Sequence, residues 1–270
     1  MQFQISHVTT YRYRQPILLQ PHVIRLRPRC DGIQSLQSFS MQILPQPGGI
    51  SQTLDWESNA TVQAWFREER SDLLQVETVA QVTTHRLNPF DYLLEPWAIK
   101  LPMDYPVSAW GHLQPYLDSA ASPSVLDSTL IRMVQELLHT AAGDTITFLT
   151  NLNQTLYHGC QQVYRETGDP LPPVLTWAHK SGSCRDLAVL FMALCRSVGL
   201  ASRFVSGYQA GDSNQAQHHL HAWAEVYLPG AGWRGYDPTQ GLAVADAHVA
   251  VAVSALPRHA APMTGSYRGG

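Results

Sequence analysis

Gly182–Tyr208 reads GSCRDLAVLFMALCRSVGLASRFVSGY. After Cys184 the apolar residues Leu187, Leu190, Phe191, Leu194 and Val198 recur at three- and four-residue steps, the period that lays one face of a helix on a core. Ser181 or Ser183 can cap the first free N–H groups, Asp186 suits the first turn, and Gly199 can take the left-handed conformation that ends a helix. The spacing therefore predicts a buried helix with Cys184 at its mouth. A thiol in the first turn feels the positive end of the helix dipole and unpaired N–H donors, which favour the attacking thiolate. The same donors, the backbone N–H of Cys184 among them, are candidates to hold an oxyanion. Cys195 falls on the buried side and reads as plain core.

Outside that helix the composition narrows the classes of function. The chain has 270 residues, 44% hydrophobic and only 14% charged, with a formal net charge of −3. That balance provides no electrostatic footprint for nucleic acid or an anionic membrane, so neither partner is expected. No apolar run approaches the ~20 residues of a membrane helix, and MQFQISHVTTYRYRQ lacks the charged-then-apolar order of a secretion signal, which predicts a cytoplasmic address. Cys30, Cys160, Cys184 and Cys195 are widely spaced in a chain too large to need disulfide staples, so reduced thiols are expected.

Residues 1 to about 90 read as strands. Phe3 and Ile5 alternate with polar neighbours, Thr9–Tyr13 is β-branched and aromatic, and Val76–Thr84 alternates throughout. Turn residues punctuate the run at 45–49 and 55–59. The pattern then dissolves into proline-containing pairs such as Leu101-Pro102 and Gln114-Pro115. Helices are predicted from Val125 to Thr140 and from Thr145 to Arg165, the second capped by Asp144 with Val163 facing inward. The resulting reading is α+β. It has an N-terminal antiparallel β domain at 1–100, a proline-punctuated connection at 101–124 and a helix-and-sheet core at 125–270. The Ala-, Pro- and Gly-rich stretch beyond Ser254 reads as a surface tail.

A cysteine nucleophile needs a base, and the base needs an acceptor to orient it. His221 heads the strand HAWAEVYL, and Asp237 ends GWRGYD, the second arm of a hairpin across Pro229-Gly230-Ala231-Gly232. A four-residue turn pairing 228 with 233 would put His221 and Asp237 on opposite faces. A three- or five-residue turn or a bulge, which Gly230, Gly232 and Gly235 permit, would instead let them meet diagonally. The competing roles are a structural histidine and a turn-starting aspartate before Pro238. His218, His219 and His221 invite a zinc reading, but no C-x-x-C or paired ligand accompanies them, so neither metal nor cofactor is expected.

At these residues the chain resembles the transglutaminase-like superfamily, in particular bacterial transglutaminase-like proteins with a β-rich N-terminal domain. The likeness rests on GSCRDLAVLFMALCRSVGLASRFVSGY, HAWAEVYLPGAGW and GYDPTQG, together with HVTTYRY at 7–13, IRLRPR at 24–29 and DWESN at 55–59. It implies a papain-like core with Cys184 as nucleophile, His221 as base and then acid, and Asp237 as its orienter. The implied reaction is acyl transfer or hydrolysis at peptide or protein amides through a thioester. Trp177 is near enough in sequence to be a side-chain oxyanion candidate, with buried packing as its competing role. The alternative is a non-catalytic peptide-binding module that keeps the same three residues.

Overall fold

The computed structural model describes residues 1–118, 126–211 and 219–269. Val125, His218, residues 119–124 of the connection and most of the polar loop 209–217 lie outside the described residues. The N-terminal half is an antiparallel sheet of β1 (Gln2–Ile24), β2 (Gln34–Leu44), β3 (Gly49–Leu54), β4 (Ala60–Trp65) and β5 (Arg70–Thr84), in the order β2-β5-β1-β4-β3. The alternation read in 76–84 is present in space: Val76, Thr78, Ala80, Val82 and Thr84 are buried and the residues between them are not.

The proline-rich connection contains a helix that its composition conceals, α1 (Val107–Leu117). Pro106 stands at its N-cap, outside the hydrogen-bonded turns, and Pro115 lies inside the helix near its C-terminal end. Next come α2 (Ser128–Thr140) and α3 (Thr145–Gly159). Asp127 accepts the Leu130 N–H and Asp144 that of Thr147, so each helix starts at an aspartate cap. α3 stops six residues short of the predicted Arg165. There the N–H groups of Gln161 and Val163 go to the carbonyls of Lys180 and Gly182, forming a short parallel pair of β6 (Gln161–Gln162) and β7 (Ser181–Gly182) and leaving Val163 39% exposed.

After α4 (Pro173–His179), α5 (Cys184–Ser197) runs through the centre of the second half, and Leu187, Leu190, Phe191 and Leu194 are at most 1% exposed. Gly199 ends it at φ 78°. Arg196 is buried too, and its guanidinium donates to the carbonyls of Ser202 and Ala255, tying the helix to the sheet beneath.

That sheet has the order β11-β10-β9-β8-β12, all antiparallel, from β8 (Ser202–Gln209), β9 (His221–Leu228), β10 (Gly232–Asp237), β11 (Leu242–Ala243) and β12 (His248–Ser254). Near its middle Gly207 lies opposite His221, and a Cβ there would sit 2.2 Å from the Val249 carbonyl and 2.6 Å from the Trp223 ring. A backbone oxygen and a fully buried indole cannot give way cheaply. Gly207→Ala is expected to cost about 3 kcal/mol, read as a lower thermal midpoint by circular dichroism.

The last strand, β13 (Met263–Arg268), leaves the core and pairs with β1 of the first sheet. The stretch read as a surface tail of the 125–270 unit is thus part of the N-terminal sheet. The reason is long-range: the unpaired edge of β1 at Leu18–Ile24 offers backbone partners that no local pattern announces.

Candidate active site

The mouth of α5 is held open by side chains. Ser183 is the N-cap and Asp186 the third helical residue. The Asp186 carboxylate accepts the Ser183 N–H at 2.7 Å and its hydroxyl at 2.8 Å, and on its other oxygen the Leu171 N–H and an Arg165 guanidinium N–H at 2.5 Å. Asp186 is 1% exposed, so this fully occupied carboxylate fixes where the helix begins. Cys184, the first helical residue, is half-buried on that fixed start.

The hairpin brings the partner groups. Its turn is Pro229-Gly230-Ala231, three residues long, so Leu228 pairs with Gly232 and Tyr227 with Trp233. Gly230 has φ 87°, and a Cβ on it would meet the Leu93 carbonyl at 2.4 Å, so glycine is required there on two counts. This register offsets His221 and Asp237 by two positions on one face. Their side chains meet diagonally, with His221 Nε2 2.7 Å from Asp237 Oδ2.

The His221 ring also hydrogen-bonds to Cys184. His221 is therefore in contact with both Asp237 and Cys184. Burial works against charge on this imidazole, but the hydrogen bonds to Asp237 and Cys184, and their charges, outweigh it and raise its pKa to about 10. Asp237 is fully buried, which alone would favour the neutral acid. Hydrogen bonds and charge from His221 and His248 reverse that and hold it ionised well below the usual carboxylate range.

Sequence reasoning did not single out two neighbours. Thr239 donates its N–H (2.9 Å) and its hydroxyl (2.6 Å) to Asp237 Oδ1, a local turn signal carried by the Asp-Pro-Thr tripeptide. His248 places Nε2 3.1 Å from Oδ2 of the same carboxylate. Only strand pairing brings His248 there, so nothing in its immediate sequence could have pointed to it.

Trp177 packs its ring under the Lys180 ammonium and against Gly159. Of the histidine cluster considered for zinc, His218 is outside the described residues, and His219 leans on Tyr164, with ring centroids 4.4 Å apart and the Tyr164 hydroxyl 3.3 Å from Nδ1. His221, Asp237 and His248 do bring ligand-type atoms within 4.8 Å of one another, but their facing atoms are joined by the hydrogen bonds just described. Among the described residues no helix is long and apolar enough to cross a membrane.

Comparison with known proteins matches both halves. Residues 3–83 match the bacterial transglutaminase-like N-terminal region, and residues 133–238 match the transglutaminase-like superfamily. An uncharacterised protein of Mycobacterium leprae is 23% identical over 98% of this chain and 93% of its own length. A protein-glutamine gamma-glutamyltransferase of Pseudomonas aeruginosa is 37% identical over 71 residues, 24% of this chain and 11% of that one. Among solved structures, a candidate cysteine protease from Cytophaga hutchinsonii superposes with a TM-score of 0.71 at 18% identity, covering all of this chain and 90% of that one. The chain thus joins a bacterial transglutaminase-like N-terminal region to a papain-like α+β core, and that core belongs to the transglutaminase-like superfamily.

Proposed function

We propose that this protein is a cysteine-dependent enzyme that cleaves or transfers the acyl group of peptide or protein amides. The observation that supports it best is Cys184 at the mouth of a buried helix beside His221, which is held 2.7 Å from Asp237. His221, whose raised pKa keeps a proton on its ring, holds the thiol's proton while Sγ attacks the amide carbon, and the N–H groups of the first helical turn, that of Cys184 included, are the candidate donors to the oxyanion. Collapse of the tetrahedral intermediate breaks the C–N bond, and His221 returns its proton to the departing ammonia or amine, leaving a thioester. Water or a second amine then attacks the thioester, His221 takes the attacker's proton, and the thiol is regenerated. Asp237 stays ionised throughout and fixes the ring. The local likeness to a protein-glutamine gamma-glutamyltransferase supports glutamine carboxamides as the first substrates to try.

The test is mass spectrometry of glutamine-bearing peptides incubated with the protein, with and without a primary amine, using Cys184→Ala as the blank. Amine adducts indicate transamidation, conversion of glutamine to glutamate indicates deamidation, and new termini indicate proteolysis. Products equally abundant with Cys184→Ala would overturn the reading, and absence of product in every channel would favour the peptide-binding alternative.

A further inference from the structure

Asp237 serves two histidines, and the chemistry above uses only one. Its Oδ1 is filled by the Thr239 N–H and hydroxyl, and its Oδ2 by His221 Nε2 and His248 Nε2. A fully buried carboxylate stays ionised only when its acceptor sites are occupied, so each donor matters. To donate to an ionised carboxylate, His248 must carry its proton on Nε2. Its Nδ1 is buried without a partner among the described residues, as is Nε1 of Trp223, whose ring stands edge-on to it at 5.2 Å. Both residues line a cavity of about 10 Å³, room for one water, with Arg86 and Glu225 the charged groups around it.

His248 opens β12, the outer strand of the core sheet. One edge of β12 pairs with β8. Two carboxamides from the N-terminal domain complete the other. Gln34 donates to the Ala250 carbonyl at 2.9 Å and accepts the Ala250 N–H at 2.8 Å. Asn59 does the same for Val253, both distances 2.8 Å. Each amide side chain offers the donor and acceptor of a peptide group, so the pair stands in for a missing strand. Gln34 and Asn59 are at most 1% exposed. Thr84 extends the grip by donating to the Asp246 carbonyl, two residues before His248.

We infer that His248 is a positioning residue that keeps Asp237 charged and aimed at His221, and that the N-terminal domain belongs to the active site because Gln34 and Asn59 hold the strand that carries His248. This rests on the proposed role of Cys184 and His221. It gives the first domain a task beyond presenting substrate: it sets the geometry of the base.

The experiment uses the full chain and needs no substrate. Iodoacetamide alkylation of Cys184 is followed by peptide mass spectrometry across pH, with the exposed Cys30 as internal reference. Wild-type Cys184 is expected to react at least tenfold faster than Cys30 at neutral pH; equal rates would overturn the reading of the Cys184–His221 pair itself, and this inference with it. In His248→Leu the Cys184 rate is expected to fall about tenfold, with Cys30 unchanged. Its acid limb should move up by about one pH unit, because a carboxylate short of one donor takes a proton sooner and leaves the imidazolium without its counter-charge. His248→Gln, which keeps an N–H near the Nε2 position, should restore both. Gln34→Leu with Asn59→Leu should slow Cys184 similarly in wild type, but by less than twofold in the His248→Leu background. A wild-type rate and limb in His248→Leu, failure of glutamine to rescue, or fully additive clamp substitutions would overturn the inference while leaving the Cys184–His221 reading intact.

Discussion

Replacing Cys184 with alanine is expected to abolish amide turnover outright while leaving the protein folded. No other described side chain stands where Cys184 does, at the start of α5 and hydrogen-bonded to His221, so no residual covalent path exists. The structural cost is small. Cys184 is only half-buried, and the helix start is fixed by the Ser183–Asp186 bonds and the Arg165 ion pair, none of which involves the thiol. About 1 kcal/mol or less of stability should be lost. Peptide mass spectrometry for turnover and circular dichroism for the fold check the two halves separately. Turnover surviving in a folded Cys184→Ala protein would refute the nucleophile assignment.

Asp237→Asn carries the second largest effect, and its signature lies in pH as well as rate. The carboxamide nearly preserves volume but removes the charge and can turn its NH2 toward His221, inverting the hydrogen bond that sets the ring. A fall in kcat of about 10³–10⁴-fold follows, the scale at which triads depend on the orienting carboxylate. In the native protein the proton that His221 gives to the leaving group is held with a pKa of about 10, so activity should persist into alkaline pH and fall through that value. Without Asp237 the largest raising influence is gone while burial still lowers the pKa. The alkaline limb should therefore move toward neutral by more than one unit.

Stability obeys the same sign. A histidine whose pKa is raised on folding stabilises fully below its unfolded value near 6.5, and that contribution drains away as pH rises through about 10. Denaturant unfolding should show the slope over that window in the wild type and a flatter profile in Asp237→Asn. Parallel profiles would mean that His221 and Asp237 do not interact as drawn.

What could be read in advance depended on how local the cause was. The α5 helix was legible because its period, cap and terminating glycine all lie within seventeen residues. The diagonal meeting of His221 with Asp237 followed from turn length alone, once a three-residue turn was among the choices. The β-rich first half announced itself by alternation. Helix α1 did not, because prolines that usually break helices sit at its cap and near its end. The end of α3 was overrun because its stop signal is a pairing with residues twenty positions downstream. His248 was invisible for the same reason, its partner Asp237 being reached across β10, β9, β8 and β12.

The return of β13 to β1 bears on how the chain is made. Met263–Arg268 hydrogen-bonds to Leu18–Ile24, so the first sheet lacks that edge strand until β13 has been synthesised. During synthesis at roughly 5–20 residues per second that edge of β1 stands open for ten seconds or more, a template for wrong pairing. Closing it joins contacts some 240 residues apart, a long-range pairing of the kind that forms slowly. The nascent chain is therefore most open to wrong edge pairing after its first sheet has largely formed and before β13 arrives.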